Sequence, residues 1–469
     1  MDFIDRTEEL RRLERVAAGR DGSLVVLWGR RRVGKTRLLL EWVRAHGGLY
    51  WVADTSAAPL QRRNLAETLQ ARLPGFGEVE YPDWGTLLSR LAREARHARW
   101  RGPLVLDEVP YLVGASPELP ATLQRFIDHD AREAGLLIAL AGSSQRMMQG
   151  LTLDGSAPLY GRARELMKLR PLPAGYIGEA LGHTSAAESV RAYTLWGGIP
   201  RYWELAEPYG DLREAVESLA LDPLGPLHDE PTRLLLEESP PAITLRPVLD
   251  AIGAGAHRVS EIAGRIGQSA TSLSRPLARL QELDLVIREL PFGEPARSSK
   301  RALYKLGDPF ARMWFSLIAP KRSLLMQVPR SARLRLFDDV FPRLTATVWE
   351  ELCRQAVPLL AERLGGISYG PASRYWAGGG PEWDVVAEGV DGRSLLVGEV
   401  KWIEGEPSAA AVEHAIQSLL AKGVPPVSRP GGAEVHHVVF VSRLPRRKPR
   451  LPANDVFVVD AADVLAVLR

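Results

Sequence analysis

The feature that most constrains this chain runs from Leu24 to Arg37. Leu24, Val25, Val26, Leu27 and Trp28 are five consecutive apolar residues, which predicts a short buried strand. Gly29, Arg30, Arg31, Arg32, Val33 and Gly34 follow as a loop, then Lys35, Thr36 and Arg37. Next comes the apolar run Leu38 to Leu40 with Trp42, expected on a helix. Two glycines framing four residues, then Lys and Thr, between a strand and a helix, is the arrangement that cradles a nucleotide's phosphates. Glycine lets backbone N–H groups turn inward around phosphate oxygens. Lys35 would add a point charge near the β- and γ-phosphates, and Thr36 a hydroxyl for Mg²⁺. The helix would aim the positive end of its dipole at the anion. The expected ligand is therefore ATP with Mg²⁺, and Gly29 to Arg37 are its contact residues.

A chain of 469 residues has room for roughly three domains. The net charge is only +3, yet arginines are clustered, and local clusters govern binding more than the total. Cys353 is the one cysteine, which excludes an internal disulfide framework and suits a reducing compartment. No apolar run approaches the ~20 residues of a membrane span. The charged start from Asp2 does not read as a signal peptide. The expectation is a cytoplasmic protein with no membrane partner.

Downstream, Leu104, Val105 and Leu106 lead into Asp107 and Glu108. An apolar strand ending in acids puts carboxylates at the carboxyl edge of a parallel sheet, where ligands bind. Asp107 is expected in the Mg²⁺ shell, and Glu108 as the group that orients or deprotonates the attacking water. A further apolar strand, Leu136 to Ala141, ends in Gly142, Ser143 and Ser144, either a γ-phosphate or water sensor or a simple turn. Arg162, after Leu159, Tyr160 and Gly161, is the candidate for stabilising charge on the transferring phosphate.

Together, Phe3 to Leu10, Gly29 to Thr36, Leu106 to Val109, Gly142 to Ser144 and Leu159 to Arg162 resemble the archaeal-type ATPase family, within the STAND division of P-loop NTPases. Trp196, Gly197, Gly198, Ile199, Pro200, Arg201 and Tyr202 are similar to the Gly-x-Pro motif of STAND proteins. The resemblance implies a helical lid in which Pro200 and Arg201 meet the nucleotide. Read from the residues alone, the same stretch is a Gly-Gly-x-Pro turn between helices. The strand ending at Gly142 lacks the Asn seen in many related ATPases.

After Pro240 and Pro241 the pattern changes to short helices: Val248 to Ile252, Val259 to Ala263, and an apolar stripe Leu273, Leu277, Leu280 and Leu283. Val286 to Leu290 and Ala302 to Leu306 read as two strands around a polar wing. This order resembles a winged helix-turn-helix. Arg275 and Arg279 oppose the leucine stripe, and Arg297, Lys300 and Arg301 lie on the wing. These five are the expected contacts to duplex DNA, the alternative being a winged helix that packs between domains. Pro276 has no backbone donor, so the recognition helix should start at about Ser274 or kink.

The last part carries Asp384, then Asp391 and Gly392, then Glu399 and Lys401. With Asp391 and Gly392 as the centre of a two-residue hairpin turn, Val386 faces Val397 and Asp384 faces Glu399. Like charges opposed in this way repel, and a divalent cation between them would offset the penalty. Lys401 points to the same face. This is the PD-(D/E)XK nuclease arrangement, with Glu350 as candidate third acid, Gln417 a weaker one, and Trp383 where that pattern has Pro. The resemblance to archaeal-type ATPases also implies a terminal domain similar to restriction endonucleases. Arg443 to Arg450 form a basic run between two further strands, either a phosphate-binding loop or a merely solvated one.

The expected architecture is a multidomain α/β chain. Residues 1–168 would be a P-loop NTPase domain with a parallel sheet, 169–238 a helical lid, 239–320 a winged helix-turn-helix with connector, and 321–469 a PD-(D/E)XK nuclease-like α/β domain. The expected function is an ATPase whose nucleotide state controls a DNA-binding, Mg²⁺-dependent nuclease-like half. The alternatives are an ATP-dependent DNA-binding regulator with an inert nuclease centre, and a signalling switch with protein partners. An oligomer is compatible with each.

Overall fold

The computed structural model describes residues 3–19, 21–153, 155, 157–238, 244–297, 301–427 and 434–469. They divide into two compact units: residues 5–171, and residues 172–469 with residues 3 and 4. The expected lid, three-helix and C-terminal parts thus fold within one unit. The break at Pro240 and Pro241 lies outside the described residues, as does Lys300.

The first unit is built on five parallel strands: β1 (Ser23–Trp28), β2 (Leu49–Val52), β3 (Leu104–Asp107), β4 (Leu137–Gly142) and β5 (Ala163–Lys168). Their spatial order is β2-β3-β4-β1-β5. β1, β3 and β4 are buried along nearly their whole length, as continuous apolar runs in a sheet covered on both faces should be. The helix Lys35–His46 follows the phosphate loop. It buries Lys35, Leu38, Leu39, Trp42 and Val43, one face at helical spacing. Trp42 is fully buried, so its truncation to Ala would cost roughly 3–5 kcal/mol.

In the second unit, the helices Arg246–Gly253 and Val259–Ile266 and a 3-10 turn Ala270–Leu273 precede the helix Ser274–Glu282. That helix starts at the expected residue, which leaves Pro276 in the first turn, where no intrahelical donor is needed. An antiparallel ribbon of β6 (Val286–Glu289) and β7 (Leu303–Leu306) follows. Leu273, Leu277, Leu280 and Leu283 are all buried.

The C-terminal sheet comprises β8 (Ser373–Tyr375), β9 (Trp383–Glu388), β10 (Ser394–Lys401), β11 (Glu434–Val441) and β12 (Val456–Asp460), ordered β12-β11-β10-β9-β8. β8, β9 and β10 are antiparallel neighbours, and β10, β11 and β12 are parallel. One face packs on the helices Arg330–Ala356 and Ala461–Val467, the other on Ala409–Lys422. β9 and β10 pair in the expected register, with Val386 opposite Val397 and Val385 opposite Gly398. The turn itself differs. The Gly389 N–H donates to the Ser394 carbonyl at 2.8 Å, and the Gly392 N–H to the Gly389 carbonyl at 2.9 Å, so Val390 to Arg393 form a four-residue loop. The Asp391 carboxylate accepts from the Arg393 N–H at 2.8 Å and opens the turn. Adding one residue on each side leaves every side chain on its expected face.

Candidate functional site

The phosphate loop is shaped by its backbone. Arg32 has φ 66° and Gly34 φ 95°, so the chain turns through the left-handed region twice before the helix begins. At Gly34 only glycine adopts this without cost. Gly29 is constrained by space, since a Cβ there would lie 2.5 Å from the Leu169 carbonyl oxygen. Lys35 donates to the carbonyls of Gly29 at 2.7 Å and Arg30 at 3.1 Å, which spans the concavity a phosphate would fill. Arg6, only 4 % exposed, donates to the carbonyls of Val33 and Arg170, both at 2.9 Å. It ties the loop to the segment after β5.

β1, β4 and β3 are neighbours, so their carboxyl ends bring three groups together. Asp107 is buried and held by three neutral donors. Tyr50 Oη lies 2.6 Å and Thr36 Oγ1 3.4 Å from Oδ2, and the Glu108 N–H lies 2.8 Å from Oδ1. A buried carboxylate with neutral neighbours and an adjacent hydroxyl is a donor set suited to a hard divalent cation. Burial, with the Asp107 charge beside it, pushes the Tyr50 phenol well above its ordinary value, so it remains a donor. Glu108 adopts φ 52°, in the left-handed region that non-glycine residues uncommonly occupy. Its carboxylate accepts from Ser143 Oγ, 3.0 Å from each oxygen. Ser143, one of two readings of the Gly142–Ser144 stretch, thus touches the expected catalytic acid. Arg6 and Tyr50 were not singled out in the sequence. A Tyr within a short strand carries no mark of an acid that lies on another strand.

Arg162 is placed differently from its expected role. Its Nε donates to both Asp128 oxygens, at 2.8 and 3.0 Å, and its Nη1 to the carbonyls of Pro158 and Tyr160. The guanidinium braces its own turn, and a phosphate would have to compete with Asp128. Pro200 starts the helix Pro200–Ala206, and Arg201 pairs with Glu204 at 3.2 Å, both in the second unit.

In the C-terminal sheet, the Asp384 Oδ2 accepts from the Val400 N–H at 2.9 Å. Burial raises the Asp384 pKa, and the charge of Glu399 raises it further, so the two acids do sense each other across the hairpin. The offsetting charge comes from lysines. Lys401 lies 2.7 Å from Glu399 Oε1, and Lys422, at the end of the helix Ala409–Lys422, contacts the other oxygen. Burial lowers the Lys401 pKa, but the hydrogen bond to Glu399 outweighs it and the net direction is up. Two lysines thus stand where the sequence suggested a divalent cation between the opposed carboxylates. Glu350 is raised first by burial and then by Asp384. Among the described residues, no three of His, Cys, Asp and Glu stand close enough to form a metal site, so Glu350, Asp384 and Glu399 are not gathered into one cage. Gln417 is exposed.

Arg354, one turn after Glu350, connects this centre to the ribbon. It lies 3.5 Å from Glu350 and 3.9 Å from Glu289, and donates to the Asp384 carbonyl at 3.0 Å. Burial opposes ionisation of Glu289, but Lys305, Arg354 and Arg374 prevail and its pKa falls. A cleft of about 610 Å³ is lined by Glu289, Arg354, Gln355 and Ser373. Of the DNA candidates, Arg275 and Arg297 are exposed, while Arg279 pairs with Glu282 at 3.0 Å and Arg301 with Glu294.

Residues 3–205 match a family described as an ATPase domain predominantly from Archaea. The N-terminal part is an ATPase domain. Residues 314–413 match a second family, described as archaeal and bacterial proteins of unknown function. An uncharacterized protein of Methanocaldococcus jannaschii is 26 % identical over 408 residues, 85 % of this chain and 87 % of that protein. Among solved structures, the Walker-type ATPase of Pyrococcus abyssi is similar at TM-score 0.52 and 20 % identity. It covers 67 % of this chain and 96 % of its own, a likeness of fold. The ORC2 protein of Aeropyrum pernix, solved in ADPNP–ADP complexes, matches at TM-score 0.43 and 14 % identity over 73 % of this chain and 95 % of its own. No helix among the described residues is long and apolar enough to cross a membrane.

Proposed function

We propose that this chain hydrolyses ATP and uses the nucleotide state to control a DNA-binding half whose nuclease-like centre does not cleave. The observation that carries the ATPase reading is the Ser143–Glu108 contact beside the Thr36–Asp107 pair, at the carboxyl ends of adjacent strands. Gly29 to Arg37 hold the phosphates, with Lys35 supplying the ammonium. Thr36 and Asp107 are the residues that would hold Mg²⁺, which supplies charge compensation on the phosphate oxygens when bound. Glu108 takes a proton from the attacking water or orients it, and Ser143 keeps its carboxylate aimed. Lys35→Ala should abolish tight ATP binding. Glu108→Gln should preserve binding and slow hydrolysis by about 10²–10⁴-fold. Calorimetry and phosphate release check both, and wild-type affinity in Lys35→Ala would overturn the assignment.

The second half of the proposal rests on charge. Lys401 and Lys422 both meet Glu399, and Arg354 lies 3.5 Å from Glu350, so cations of the chain already stand beside two of the three acids. An acid already met by two lysines gains less from a divalent ion, which favours the regulator over the cleaving enzyme. DNA contact falls to Arg275, Arg279, Arg297, Lys300 and Arg301, with the three helices and ribbon read as a winged helix. Mn²⁺ titration of wild type and Asp384→Asn, beside plasmid nicking, tests this. Metal binding lost in Asp384→Asn, with nicking by wild type, would restore the nuclease.

A further inference from the structure

The basic run Arg443–Arg450 leaves the C-terminal sheet beside the acid–lysine centre. β11 ends at Val441, whose partner on β10 is Lys401. The next residue, Ser442, donates to the Ile403 carbonyl at 2.6 Å and accepts from the Ile403 N–H at 3.3 Å. The loop therefore starts at the carboxyl ends of two parallel strands, one carrying Glu399 and Lys401, the edge at which open α/β sheets bind ligands.

Within eight residues it carries Arg443, Arg446, Arg447, Lys448 and Arg450, and no acid. Arg443 donates to Ser185 Oγ at 3.2 Å, and Arg446, 90 % exposed, pairs with Glu406 at 2.9 Å. The Arg450 N–H, not its side chain, meets Glu413 at 2.8 Å. Among the described residues, the side chains of Arg447, Lys448 and Arg450 have no acidic partner. Pro445 and Pro449 restrict the backbone, so less freedom is lost on binding. Two of the four described winged-helix candidates, by contrast, are already paired to glutamates.

We propose that loop 443–450 grips the sugar–phosphate backbone of duplex DNA beside the Glu399–Lys401 strand end. It rests on the reading that the C-terminal half binds DNA. Exposed cations with no acidic partner among the described residues suit phosphates, which recur along a duplex at about 1.7 Å per charge. A protein partner would instead call for buried anchors.

The test uses the full chain with Arg447→Gln, Lys448→Gln and Arg450→Gln combined, the calorimetric transition of the unit of residues 172–469 serving as the folding control. Duplex affinity is measured across a salt series for wild type, this variant, and Arg275→Ala/Arg279→Ala/Arg297→Ala. The expected result is a salt slope lower by about 2–3, with at least ~10-fold weaker binding at physiological salt. An unchanged slope in the loop variant, with a lowered one in the helix variant, overturns this inference and leaves the DNA reading intact. No duplex binding by wild type overturns both. Polyglutamate binding as tight as duplex binding, lost in the same variant, overturns the nucleic-acid assignment in favour of an acidic protein partner.

Discussion

At the scale of single residues, the nucleotide site is set by donors that fix carboxylates. Tyr50 and Thr36 share one Asp107 oxygen, and the Glu108 N–H holds the other. Removing the phenol should cost about 1.5 kcal/mol of stability, the lower end for a hydrogen bond to a charged group. More specifically, Tyr50→Phe should leave Mg²⁺-free nucleotide affinity unchanged and alter the increment that Mg²⁺ adds. Titrations with and without EDTA separate the two. Ser143→Ala should lower hydrolysis less than Glu108→Gln does, because the acid remains and only its aim is lost. A phosphate-release assay ranking the two the other way would remove Ser143 from the site.

Between elements, the acids of the C-terminal unit respond to pH in opposite senses. Glu289 has a lowered pKa, so its contribution is present above the ordinary carboxylate range and is lost as pH falls through the folded value. Glu289→Gln leaves Lys305 and Arg354 short of a partner and should cost roughly 3 kcal/mol near neutrality, less in acid. Asp384 and Glu350 have raised values, so their burial penalty grows as pH rises from the ordinary carboxylate range through the folded one. Asp384→Asn should remove part of that loss, visible as a flatter rise in Tm on acidification. The hairpin parity was legible in advance because strand alternation needs only a turn of even length, and four residues preserve it as well as two. Lys422 was not legible. It reaches Glu399 from the end of a helix whose position depends on packing against the sheet, and no local spacing encodes that.

For the whole molecule, two compact units predict two calorimetric transitions. ATP analogue with Mg²⁺ at 100 times its Kd should stabilise the unit of residues 5–171 by about 2.7 kcal/mol. A matching shift in the other transition would indicate that Pro200 and Arg201 meet the nucleotide. The elements of both units could be read from apolar periodicity, since strands such as Leu24–Trp28 are buried along their length. Pairings such as Arg162–Asp128 and Arg6 with the Arg170 carbonyl could not, because each joins residues far apart in the chain.

The position of β1 also bears on synthesis. It lies between β4 and β5, so its two neighbours are residues 137–142 and 163–168. Leu24 to Leu27 emerge from the ribosome well before either. At ~5–20 residues per second, the strand that anchors the phosphate loop waits on the order of ten seconds for its partners. Arg6 waits longer still, until the Arg170 carbonyl exists. During that interval an apolar strand of the sheet is unpaired, open to nascent-chain chaperones or to another copy of itself. A chain stalled before residue 137 would carry the complete phosphate loop and yet have neither of the strands that flank β1.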